Sequence, residues 1–175
     1  MKSYTDEQLN QNYDNFIAFV KKAFASNPDR LEKLLHMYSE EELGAELAVS
    51  PASGKQHYHS AYEGGYLDHV MNVCKNAVKL MTMFEAGGGT IDFTLEELLF
   101  SAMHHDLGKL GNGKNPYYIP HSSKWHRENQ GEIFTYNPEL AYMDVAQRAL
   151  LQLNQYGIKY SEKEMFGIML ADGLY

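Results

Sequence analysis

TLEELLFSAMHHDLGK, residues 94–109, begins as one amphipathic helix and ends as a set of metal-ligand side chains. Thr94 followed by Glu97 is a capping box, and Leu98, Leu99, Ala102 and Met103 repeat at helical spacing behind it. At the end of that helix, His105 and Asp106 can both turn toward one ion, offering an imidazole nitrogen and a carboxylate oxygen. Such mixed ligands suit zinc, manganese, iron or nickel, or magnesium with more water. Gly108 is expected to let the chain turn just after them, and Lys109 to bring a positive charge to a bound phosphate. A bare His-Asp pair recurs by chance; His-Asp-x-Gly-Lys behind an apolar helix is far more specific. His104, beside the pair, reads as a packing residue.

Working upstream, the sequence predicts a long helix from Tyr66 to about Phe84. Leu67, Val70, Val73, Cys74, Ala77, Leu80 and Met81 face inward, and the glycines at 87–89 end it. His69 lies on that apolar face. Alone it reads as a satisfied core histidine; one antiparallel helix away from His105 and Asp106, it becomes the natural third ligand.

The rest of the chain repeats the helical pattern. Thr5 with Gln8 caps a helix carrying Phe16, Ile17, Phe19, Val20 and Phe24. Asn27-Pro28 starts a second, with Leu31, Leu34, Leu35 and Tyr38 on one face. Residues 48–63 read as a loop, and residues 111–137 as a longer one, rich in Gly, Asn, Pro and Tyr. A loop of that length in a compact domain tends to serve function. A helix from Pro138 to Tyr156 is stopped by Gly157, and Ser161 with Glu164 caps a last one through Phe166, Ile168 and Met169. Strand signals are almost absent, and no repeat or low-complexity tract interrupts the pattern. The expected fold is all-α and a single domain.

Composition narrows the function classes. The chain has 175 residues, 44% hydrophobic and 22% charged, which suits one globular core. A net charge of -8 argues against binding to long nucleic acid, whose phosphates need a basic face. It leaves a nucleotide open as substrate, because a bound cation can reverse the local sign. Cys74 is the only cysteine, so an internal disulfide and a thiolate metal cluster are excluded, and a reducing cytosol is expected. No apolar run at the N-terminus suggests a signal or a membrane anchor. The 13 tyrosines read mainly as the shell of a helical core, with some free to line a cavity for base or sugar. Oligomeric state is left open.

HYHSAYEGGYLDHV at 57–70, followed by HHDLGK at 104–109, resembles the HD superfamily of metal-dependent phosphohydrolases. The pattern is most similar to the branch holding bacterial 3′-to-5′ exoribonucleases and small phage HD proteins. The similarity spans residues 57–175. It implies an HD-domain helical bundle over residues 51–175, with residues 1–50 as an N-terminal helical extension packing on that core. By the same resemblance His69, His105 and Asp106 hold a divalent metal, Asp106 also orients the attacking water, and Lys109 binds phosphate. Asp172 stands in one alignment as the final metal ligand. In another, Ala171-Asp172-Gly173 matches the His-His-Gly segment of two-metal members, and the final aspartate lies beyond an incomplete C-terminus. Asp144 is the other late carboxylate, on a face that reads as solvated.

His126 resembles the His-x3/4-Gly element that supplies a fourth ligand in some HD proteins, which brings a second ion into question. With His121, Lys124 and Arg127 it alternatively reads as part of a substrate lid whose basic groups meet phosphate. His59 is expected on the site wall and His57 in solvent. The resulting expectation is hydrolysis of a nucleotide or other small phosphate ester by metal-activated water, with one or two ions. Two rivals stay beside it: a di-iron oxygenase of the HD type, and an inactive HD domain serving as a nucleotide-binding or regulatory module.

Overall fold

The computed structural model describes residues 2–173. Helix α1 (Asp6–Ala23) opens on the Thr5–Gln8 capping box and buries Leu9, Phe16 and Val20. Helix α2 (Pro28–Met37) starts behind Asn27, whose side chain accepts from the Arg30 amide, and buries Leu34 and Met37. A wide turn at Glu40–Gly44 leads into the short α3 (Ala45–Val49). The long α4 (Gly65–Ala86) and α5 (Leu95–His104) pack against each other, and a 3₁₀ turn at Leu107–Leu110 follows. Helices α6 (Val145–Gln155) and α7 (Glu162–Met169) complete the bundle, α7 lying against α5. No helix among the described residues is long and apolar enough to cross a membrane.

One hydrophobic cluster joins all seven described α-helices and takes in Leu43, Leu107 and Leu110 from the turns between them. Phe16, Val20, Phe24, Leu34 and Tyr38 from the first part share it with Val70, Cys74, Phe100, Met103, Leu153 and Ile168. Phe24 meets Phe100 edge-on at 6.1 Å, a favoured aromatic geometry. Helices α1, α2 and α3 therefore share one core with the helices that carry His69 and His105. Arg30 extends that union electrostatically. Its guanidinium bridges Glu164 at 2.7 Å and Glu96 at 3.1 Å and lies over the Phe100 ring at 4.5 Å. Glu164 is fully buried, so removing Arg30 would strand a charge in the core.

Three sequence expectations are corrected. The 111–137 segment is not wholly loop: β1 (Tyr118–Pro120) pairs antiparallel with β2 (Phe134–Tyr136), Ile119 opposite Thr135. Paired three-residue strands are too short to show alternation in sequence. The next helix begins at Val145 and not at Pro138, because Asp144 caps it by accepting from the Ala146 amide at 2.9 Å. Asp144 thereby has a structural task. Leu80, expected inward, is 65% exposed, as are Met83 at 69% and Phe84 at 57%. Ala77 and Val78 are the last residues of α4 that pack against the hydrophobic cluster.

Candidate metal centre

His69 enters from the first turns of α4, whose start is fixed by backbone bonds. The Gly64 amide donates to Val49 and the Tyr66 amide to Ser50, each at 2.9 Å. The neighbouring Asp68 accepts from Lys2 at 2.6 Å, Tyr62 at 2.6 Å and Tyr4 at 2.8 Å, which ties the N-terminal segment to this end of α4. His105 caps the C-terminus of α5 and Asp106 follows it. Three ligand atoms converge there. His69 Nε2 lies 3.0 Å from His105 Nε2, and these nitrogens lie 3.2 and 3.4 Å from Asp106 Oδ2.

The chemistry of this triangle fits a cation. His105 Nδ1 faces the Ala102 carbonyl at 2.9 Å. A carbonyl only accepts, so Nδ1 carries a proton; in the neutral ring Nε2 keeps the lone pair a metal would take, and in the imidazolium it donates to Asp106 instead. Two imidazole nitrogens and a carboxylate oxygen within 3.4 Å need a shared proton or a cation among them. Lys109 Nζ, 2.7 Å from Asp106 Oδ2, supplies part of that positive charge. Burial alone would raise the Asp106 pKa, but hydrogen bonding from His105 and His69 and the Lys109 charge hold it well below the usual carboxylate range. Burial likewise disfavours charge on His105, and the Asp106 carboxylate outweighs it, leaving that pKa above the ordinary value. The donor set suits a divalent first-row metal, or magnesium with added water.

His59 stacks on His69 at 4.2 Å and offers a further nitrogen within 4.8 Å of the His69 and Asp106 ligand atoms. Burial and the nearby His69 lower its pKa, favouring the neutral, coordinating form. His104, by contrast, is sealed in the core. Its Nδ1 meets the Phe100 carbonyl at 2.6 Å, its ring lies parallel to Tyr38, and burial pushes its pKa down to about 3.

Gly108 acts through close approach more than through the expected turn. A Cβ there would fall 2.2 Å from the Val145 carbonyl oxygen, so only glycine lets α6 pack on the segment behind the ligands. Gln152 fastens the same contact by donating to the Gly111 carbonyl at 2.8 Å.

The triad opens into a cavity of about 470 Å³, within the range of small-molecule sites. His59, Lys109 and Asp172 line it with the triad, while Val73, Leu98 and Ala102 form apolar wall. Asp172 is exposed and shares this cavity without a described contact to the triad. His126 falls elsewhere. It groups with His121 and Glu132 on the hairpin and is not among the residues lining the cavity. Lys124 is exposed, 3.7 Å from Glu128, and Arg127 donates to the His121 carbonyl; neither lines the cavity. Sequence reasoning did not single out Ser101, Leu98 and Val73 as wall residues, or Glu132 as a partner of His126. Helix periodicity marks Val73 and Leu98 only as inward-facing and passes over Ser101, and a carboxylate on a loop gives no pattern.

Comparison of the chain with protein-family models, with curated proteins and with solved structures finds no match.

Proposed function

We propose that the protein is a metal-dependent phosphohydrolase of the HD type, acting on a nucleotide or another small phosphate ester. The observation that carries the reading is the convergence of His69 Nε2, His105 Nε2 and Asp106 Oδ2 within 3.4 Å, with Lys109 Nζ 2.7 Å from the same oxygen. A divalent ion held by these three would supply a Lewis acid for the phosphoryl group and an acidified water. His69, His105 and Asp106 would bind it, and His59, stacked on His69, would add a ligand. Lys109 turns its ammonium to the phosphate and offsets charge that develops on the equatorial oxygens. Asp106, held ionised, has a second oxygen with which to orient water. The apolar wall of Val73, Leu98 and Ala102 excludes solvent and receives the less polar part of the ester. The cavity volume suits a mononucleotide-sized ligand better than a polymer.

The test is elemental analysis of the purified protein together with phosphate release from a nucleotide panel, with and without added Mn²⁺. Bound transition metal and Mn²⁺-dependent release, both lost in His105→Ala, support the reading. A folded protein that binds no metal and releases no phosphate with any divalent ion would sink it.

A further inference from the structure

A second group of ligand atoms lies on the hairpin. We propose that His121, His126 and Glu132 form a zinc-type metal site of their own, apart from the triad, which closes the chain between β1 and β2. One ligand atom from each of the three lies within 4.8 Å of the other two. All three side chains are half-buried, the two imidazole rings stack at 4.6 Å, and His121 Nε2 lies 3.7 Å from Glu132 Oε2. Two imidazoles and one carboxylate with a fourth position left to water is a common zinc donor set.

Backbone bonds hold the three positions together. The His121 amide donates to the Ile133 carbonyl at 2.9 Å, and the Glu132 amide to the His126 carbonyl at 3.2 Å. Gly131, at φ 64°, turns the chain so that Glu132 returns over His126. Outer partners orient the donors as well. Lys55 takes Glu132 Oε1 at 3.0 Å, which leaves Oε2 for the centre. Ser123 Oγ lies 2.9 Å from His126 Nδ1 and can accept its proton, leaving His126 Nε2 as a lone pair.

His121 gives the proposal a specific structural consequence. The Ser123 amide donates to His121 Nδ1 at 3.1 Å, so in the metal-free form the His121 proton sits on Nε2. Binding zinc through Nε2 moves that proton to Nδ1, and the Ser123 amide must turn away. The Gln56 amide also donates to the Gly131 carbonyl at 2.7 Å. A metal on the hairpin would thereby steady the segment that leads to His59 at the cavity.

The experiment uses the full chain stripped of metal, with Zn²⁺ as the probe. Its stoichiometry is measured by competition with a chromogenic chelator in wild type, His105→Ala, and His126→Ala/Glu132→Gln, with circular dichroism confirming the fold of each. His105→Ala should retain one tight equivalent, and its Ser123 amide resonance should shift as zinc is added. His126→Ala/Glu132→Gln should lose that equivalent, weakening the site by more than about 100-fold, the upper range for losing an outer partner alone. If His105→Ala takes up no tight zinc and Ser123 stays still, the hairpin site is refuted, whatever the triad does. Unchanged stoichiometry in the hairpin variant refutes it equally. Loss of the triad equivalent alone bears only on the phosphohydrolase reading.

Discussion

The helical triad and the hairpin cluster use the same donor types and are built in opposite ways. His69 and His105 stand 36 residues apart, on α4 and at the end of α5, and meet because one core packs those helices together. His121, His126 and Glu132 belong to one excursion between paired three-residue strands and meet through local hydrogen bonds. In the first arrangement the two histidines can part only if the packing of α4 on α5 shifts. The second can open while the bundle stays folded, because few buried apolar contacts hold it. The difference separates a site made rigid by global packing from one whose order depends on its own neighbours.

The largest expected effect breaks the triad. His105→Ala or Asp106→Ala should lower phosphate release by at least about 10³-fold, comparable to deleting a preorganised electrostatic group, while far-UV circular dichroism is retained. A His121→Ala variant assayed beside them should keep most of its activity. Equal losses would mean that the hairpin belongs to the reaction centre.

Lys109→Met should come next, with turnover down about 10²-fold and metal stoichiometry unchanged, because Lys109 contributes charge and not coordination. Measuring kcat and metal content together separates the two roles. If Lys109→Met also loses its metal, the contact of Lys109 with Asp106 at 2.7 Å is holding the ligand in place, and the lysine is a positioning residue.

What could be read from the sequence follows the same division. The helices with capping boxes at Thr5, Thr94 and Ser161 were legible because a cap and a 3.6-residue period are both local signals. His69, His105, Asp106 and Lys109 were legible as a group because regular helices keep a ligand on a known face. Gly108 was seen for the wrong reason: its spacing suggested a turn, whereas its task depends on α6, some 40 residues later, which no local pattern carries. The start of that helix slipped from Pro138 to Val145 because Asp144 outcompetes an early Pro as a helix signal only when its side chain finds the Ala146 amide. Leu80 was read inward because periodicity marks an apolar face without showing whether anything covers it. Of the hairpin cluster, His126 and His121 could be singled out as a ligand or lid candidate, but Glu132 could not, since only the turn at Gly131 brings it back to His126.

Two glycine substitutions sharpen the contrast in stability. Gly108→Ala places a methyl group 2.2 Å from the Val145 carbonyl oxygen, where backbone must yield, and should cost toward 3 kcal/mol, the upper range for overpacking. Gly131→Ala meets no atom nearer than 3.4 Å and carries only the left-handed backbone penalty of about 1 kcal/mol. Urea unfolding of both should give a lower midpoint for Gly108→Ala with an unchanged slope. If Gly131→Ala proves the more damaging, the hairpin is part of the cooperative core.

The smallest effect concerns acid stability. Glu97 accepts from the Thr94 amide at 2.9 Å and from the Ser161 hydroxyl at 3.0 Å, joining the starts of α5 and α7. The Thr94 amide, and then Ser161, lower its pKa in the folded state. A carboxyl depressed on folding stabilises the protein fully above its unfolded pKa, about 4.3, and that contribution fades as pH falls through the folded value. Glu97→Gln should therefore narrow its stability gap from wild type between about pH 5 and pH 3 in urea titrations. Glu132 is also depressed, by Lys55, but on the hairpin. Its Glu132→Gln variant should leave the global acid limb unmoved and change only the local opening of residues 121–132, read by amide exchange. Should Glu132→Gln shift the global limb as far as Glu97→Gln does, the hairpin unfolds with the bundle, and the two sites share one stability after all.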